Sequence, residues 1–214
     1  MKLGIFGGTF NPIHFGHLRA AEEVRYRLDL DKIIIVPSGN PPLKQHALAD
    51  APHRYAMAAL AAESNAFFLV SDLEVRQDEK SYTVNTLQRL YKEYPGDELF
   101  FILGLDAFLD IPGWWQPDRL VSMIDFIVIP RPGTDPGEIA NSPYIEAAPP
   151  PLGKGRGKGL PLRLKGGRSA ILLDVTPLAI SSTEIRALLR ERKSIKYLLP
   201  EAVERYISAH NLYP

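Results

Sequence analysis

The sequence predicts an α/β fold, a doubly wound parallel sheet with helices on both faces. Two observations carry that expectation. Short apolar runs rich in Ile, Val, Leu and Phe recur along the chain. Most lack polar–apolar alternation, as strands covered on both faces require. Segments with helical spacing separate these runs, so strand and helix alternate from the first residues, the order of a Rossmann-like sheet. Ligands of such folds sit beyond the carboxyl ends of the strands.

The expected strands are KLGIF (2–6), KIIIVP (32–37), AFFLVS (66–71), ELFFILG (98–104), DFIVIP (125–130) and AILLDV (170–175). The first helix is expected over HLRAAEEVRYRL, with Leu18, Ala21, Val24 and Leu28 inward and Arg19, Glu22, Glu23 and Arg27 outward. Pro52, soon after Asp50, suits the start of a second helix. Thr83 is placed to cap a third, which Pro95 and Gly96 stop. Ser181 and Glu184 form the Ser-x-x-Glu pattern of a capping box ahead of Ile185, Leu188 and Leu189. One stretch breaks the alternation: residues 133–167 carry Pro149 to Pro151 and GKGRGKG (153–159), too glycine-rich for helix or strand. It reads as a basic surface insertion within a single domain spanning 1–214, with Lys154, Arg156, Lys158, Arg163, Lys165 and Arg168 able to approach bound phosphates.

Composition excludes several functions. Twenty-five basic and 25 acidic side chains cancel, so no global field favours nucleic acid or an anionic membrane. With no cysteine there is no disulfide, thiolate nucleophile or thiolate metal site. No apolar run approaches the ~20 residues of a membrane span, and a cytoplasmic chain is expected. A homo-oligomer is compatible with the sequence.

KLGIFGGTFNPIHFGH (2–17) joins the first strand to the first helix through paired glycines and two histidines. A helix start offers unpaired N–H donors and the positive end of a dipole, which suits phosphate. Gly7 and Gly8 leave room for its approach. The dinucleotide pattern G-x-G-x-x-G does not fit, and the second strand ends on Pro37, Ser38 and Gly39 rather than an acid. His14 and His17, three apart, share a face if the helix begins near Ile13. They can be structural, metal ligands or donors to phosphate oxygens. A metal lacks a third ligand at suitable spacing; phosphate donation needs only a place near the helix start.

GGTFNPIHFGH resembles the signature of the nucleotidyltransferases that carry an H-x-G-H motif, in the form found in the branch that adenylates nicotinate mononucleotide. The resemblance covers most of the chain outside 133–167 and implies an enzyme that joins ATP and nicotinate mononucleotide into deamido-NAD, releasing pyrophosphate in NAD biosynthesis. It implies His14, His17 and Lys44 as catalytic groups around the phosphates. It implies Gly7, Gly8, Thr9, Phe10, Gly16, Gly104, Asp106, Ile180, Ser181, Ser182, Thr183 and Arg186 as the ATP site, with Asp106 on the ribose and ISSTEIR on the polyphosphate. VSDLEVRQDEKSYTVNTL (70–87) matches the family's acceptor segment, with Lys80 and Asn85 as departures. Thr83, Trp114 and Trp115 then bind the mononucleotide, Trp114 stacking on the pyridine ring. Arg54 is read as joining the phosphates or making a surface salt bridge, Arg131 as structural, and His46 is left unassigned. Mg²⁺ is expected with ATP, without a dedicated protein site. Nicotinamide mononucleotide and phosphopantetheine are rival acceptors; the longer chain and the Ser-Tyr-Thr and Trp-Trp segments speak against the latter. A non-catalytic nucleotide-binding module is the rival of another class, and the intact histidines, Lys44 and Ser-Ser-Thr turn speak against it.

Overall fold

The computed structural model describes residues 1–42, 48–131, 133–146 and 159–214. Its centre is a seven-stranded sheet in the order β3-β2-β1-β4-β5-β7-β6. The strands are β1 (Lys2–Gly8), β2 (Lys32–Pro37), β3 (Phe68–Val70), β4 (Glu98–Gly104), β5 (Asp125–Ile129), β6 (Leu160–Arg163) and β7 (Ser169–Leu172). All neighbours are parallel except β6 and β7. Strand order reverses direction between β1 and β4, so the crevice at their carboxyl ends, Gly8 and Gly104, is the switch point.

The helices are α1 (Phe15–Arg27), α2 (Ala51–Ala62), α3 (Thr83–Glu93), α4 (Leu105–Leu109), α5 (Pro117–Met123), α6 (Ser182–Arg190) and α7 (Glu201–Ala209). Alternate strand residues feed two apolar layers. Leu3, Ile5, Ile34, Phe101 and Phe126 meet Leu87 and Leu90 of α3, Phe108 of α4 and Leu120 of α5. Ile33, Ile35, Ile102 and Ile127 meet Val24 of α1, Met57 of α2, Ile185 of α6 and Val203 of α7. Burial on both faces explains why these strands are apolar without alternation. Among the described residues no helix is long and apolar enough to cross a membrane.

Three expectations change. The segment 133–167 does hold a strand: Leu162 and Leu164 are buried, and β6 pairs antiparallel with β7. Leu160, Leu162 and Leu164 alternate with Pro161 and Arg163, the pattern of a half-buried edge strand on which proline is tolerated. Arg168 lies against Asp125 at the amino end of β5, opposite the switch-point crevice. Residues 147–158, with Lys154, Arg156 and Lys158, lie outside the described residues. Glu23 is buried rather than outward, because the chain after β7 covers α1: its carboxylate accepts from Arg19, Arg27 and the Thr176 amide. Thr83 is the first residue of α3, not its cap; Tyr82 caps in an extended conformation without a side-chain bond.

Candidate active site

The loop from β1 to α1 crosses the switch-point crevice. Gly8 ends the strand, Phe10 turns the chain with φ 47°, and His14 caps α1. The space a Cβ on Gly8 would take is occupied by the Phe10 ring at 2.8 Å, and on Gly7 by the Phe101 ring at 3.2 Å. These glycines therefore answer to aromatic packing. Phe10 is buried and edges onto His17, its ring centre 5.1 Å away.

The two histidines stack, ring centres 3.7 Å apart and planes at 28°. The His14 amide donates to His17 Nδ1 at 3.3 Å. A ring nitrogen that accepts carries no proton, so the N–H of a neutral His17 is at Nε2. His14 is only 5% exposed, and its Nδ1 has no hydrogen-bond partner. Burial first, and the nearby Arg131 guanidinium second, push its pKa down to about 4. His14 is thus a neutral ring with an unmet hydrogen-bonding atom. Gly16 makes that ring position available: a Cβ there would lie 3.0 Å from His14 and 3.5 Å from the Ile180 carbonyl.

The Ile180 approach brings the start of α6 onto the loop. Ser181 caps α6, accepting the Glu184 amide at 3.1 Å. The Ser182 hydroxyl donates to the Pro12 carbonyl at 2.9 Å, and Arg186 donates to the Asn11 carbonyl at 2.8 Å and to the Thr183 hydroxyl at 3.3 Å. Two side chains assigned to polyphosphate therefore buttress the histidine loop. Arg186 Nε is buried without a partner, a second unmet polar atom here. The start of α1 has no acidic residue in its first turn, so its dipole favours an anion.

At the end of β4, Asp106 folds back over Gly104, where a Cβ would come within 2.4 Å of its carboxylate. Asp106 faces solvent and pairs with Arg131 at 3.2 Å. This half-exposed carboxylate can accept from vicinal hydroxyls. Lys44 and His46 lie outside the described residues.

Arg54 is neither at the phosphates nor on the surface. It is 1% exposed and donates to the carbonyls of Ala49 at 2.9 Å, Thr9 at 2.9 Å and Gly39 at 2.8 Å. One side chain thus ties the loop after β1 to the loop after β2. Gly39 in turn is pressed onto the next segment: a Cβ there would stand 2.0 Å from the Glu74 carbonyl oxygen. The buried Glu74 carboxylate accepts from the Gly39 amide at 3.3 Å and the Thr86 hydroxyl at 2.6 Å. Asn40 and Ser81 exchange bonds at 3.0 and 2.9 Å. These ties carry the start of α3 to the same rim. Thr83 stands there with no acidic residue in the first turn of its helix. The Tyr82 ring lies 4.9 Å from that of Trp115, which is 43% exposed. Trp114 packs instead against the apolar layer of α3 to α5.

Glu74 and Gly39 are members of this assembly to which sequence reasoning gave no role, and Arg54 is one that it placed elsewhere. Their partners, main-chain groups and the Thr86 hydroxyl, lie 5 to 45 positions away; the signal available was a glycine after a strand end and an arginine in a largely apolar helix.

The family model described as cytidylyltransferase-like matches residues 5–188. The chain is 44% identical over 213 residues to the probable nicotinate-nucleotide adenylyltransferase of Desulfitobacterium hafniense, covering 99% of this chain and 95% of that one. It is 42% identical to the protein of the same name from Geotalea daltonii, over all of this chain and 98% of the other. Among solved structures, the Plasmodium falciparum nicotinic acid mononucleotide adenylyltransferase complexed with NaAD superposes with a TM-score of 0.75 at 22% identity, covering 99% and 97% of the two chains.

Proposed function

The chain belongs to the nicotinate-nucleotide adenylyltransferase family of cytidylyltransferase-like proteins, and from that premise we propose how its residues transfer an adenylyl group from ATP to nicotinate mononucleotide. The observation that carries the proposal is the junction of the His14–His17 pair with the start of α6. It joins groups from the two ends of the sequence beside the switch point, which supports this reading.

In this reading an oxygen of the mononucleotide phosphate attacks the α-phosphorus of ATP in line. The bond from that phosphorus to the bridging β-phosphate oxygen breaks, and pyrophosphate leaves with its electron pair. The nucleophile is already an anion, so no general base is needed. The protein positions the two phosphates and stabilises redistributed charge. His17 donates from Nε2, and the buried neutral His14 supports it with a single N–H. The first amides of α6, the Thr183 hydroxyl and the Arg186 protons not held by the loop receive the departing pyrophosphate. Gly7, Gly8, Thr9, Phe10, Gly16, Gly104 and Ile180 shape the nucleotide's bed, Asp106 accepts from its ribose, and Lys44 adds charge at the phosphates. Thr83 and Trp115 meet the acceptor: the amides at the start of α3 face the nicotinate carboxylate and Trp115 offers the exposed ring face, while Trp114 supports them from the apolar layer. Mg²⁺ belongs with the triphosphate and neutralises charge there. Among the described residues no three His, Cys, Asp or Glu side chains converge. A cytoplasmic setting completes the proposal.

Pyrophosphate release from Mg·ATP tests it with nicotinate mononucleotide, nicotinamide mononucleotide and phosphopantetheine compared. Release should be fastest with the nicotinate form. Faster release with the amide would shift the acceptor, and ATP binding without release with any of the three would sink the reaction.

A further inference from the structure

Asn11, three residues before His14, is the point where several distant segments meet. Its carbonyl accepts from Arg186 of α6, and its Oδ1 accepts from the Ala49 amide at 3.0 Å. The same Oδ1 accepts from the Tyr213 hydroxyl at 2.7 Å, a bond spanning 202 positions. Tyr213 and Asn11 are both buried, 8% and 4% exposed. The Tyr213 ring lies in the apolar layer of α1, α2, α6 and α7. Its backbone sits at φ 64°, and Asn211 at φ 47°. Non-glycine residues hold that left-handed region when their surroundings fix them. Burial raises the phenol far above the ordinary tyrosine range, against the pull of Arg186 and Arg54. It remains a neutral donor at any working pH.

The ring and the hydroxyl have separable tasks. The ring fills the core, as any large apolar side chain would. The hydroxyl reaches out of that layer to one amide oxygen in the loop carrying the histidine pair. An amide oxygen with two fixed donors has a fixed orientation, and Asn11 passes it to Pro12, whose carbonyl is held by Ser182.

We propose that Tyr213 is a positioning residue for adenylyl transfer: through Asn11 its hydroxyl holds the loop so that His14, His17 and the start of α1 face the α-phosphate together. This rests on the adenylyl-transfer function proposed above. The acceptor end has further ties of its own, through Asn40–Ser81 and Glu74–Thr86, so loss of the hydroxyl acts on turnover more than on acceptor binding.

Tyr213→Phe keeps the ring and removes the hydroxyl. At 25 °C, with both substrates saturating, kcat should fall roughly fivefold to twentyfold, because small misplacement of reacting groups is costly. KM for nicotinate mononucleotide should stay within twofold. In an Asn11→Ala background the same change should alter kcat less than twofold, since the two residues act in series. A kcat for Tyr213→Phe within twofold of the parent overturns the proposal. So does an equal fold-loss in both backgrounds, and so does a Tyr213→Phe chain that does not fold, because Tyr213 would then hold the core alone. Failure of the parent chain to release pyrophosphate with any acceptor overturns the adenylyl-transfer function instead.

Discussion

The two ends of the crevice are built differently. At the end proposed for ATP, His14, Asn11 and Phe10 are buried, and loop carbonyls are bonded by Arg54, Arg186 and Ser182. At the end proposed for the acceptor the Trp115 ring is exposed and lies beside that of Tyr82. Transfer between phosphates demands donors fixed before the substrate arrives, because reorganising them during reaction would use the stabilisation they supply. Recognition of a flat ring asks only for a face to stack on. In the proposed function the buried end fixes the chemistry, and the open end chooses the acceptor.

Arg54 is the place to break that division, because it joins the two loops. Arg54→Met fills similar volume but leaves the carbonyls of Ala49, Thr9 and Gly39 without their donor. Unmet buried acceptors are expensive, and urea unfolding should show a loss of about 3–5 kcal/mol. A loss below about 1 kcal/mol would mean that water replaces the guanidinium and that the loops are not tied through it.

His14 sharpens the same contrast through pH. Folded, its ring is held neutral by burial, with a pKa near 4; unfolded, it takes a proton near pH 6.5. Between those values the unfolded chain binds more protons, so this residue's contribution declines as pH falls from about 6.5 to 4 and is constant below. The difference in unfolding free energy between parent and His14→Gln should shrink by roughly 3 kcal/mol across that window. A difference that does not change with pH would show a solvated ring.

Much of this was legible in the sequence. The core strands announced themselves because burial on both faces leaves no polar positions in runs such as Ile33 to Val36. The histidine loop and the Ser181 cap were legible because their spacing carries their geometry. β6 was obscured because the alternation of Leu160, Leu162 and Leu164 sits among glycines, prolines and charges that speak for a loop. Arg54 and Tyr213 were illegible for another reason: a bond to a carbonyl or amide oxygen tens or hundreds of positions away leaves no local pattern. Ser182 and Arg186 show that a motif can be found and its work in the resting protein still be missed, since both hold the histidine loop.

The smallest expected effect lies at the open end, where the two tryptophans separate. Trp115→Ala removes an exposed ring, so stability should change little, while KM for nicotinate mononucleotide should rise about threefold to tenfold, the worth of one aromatic contact. KM for ATP should stay within twofold, because no bond described at Trp115 reaches the histidine loop. Trp114→Ala should do the reverse. Its ring packs against the apolar layer of α3 to α5, so urea unfolding should register a cavity before the acceptor KM moves. Equal effects of the two substitutions on acceptor KM would place both rings on the ligand, and the acceptor end would then be as tightly built as the ATP end.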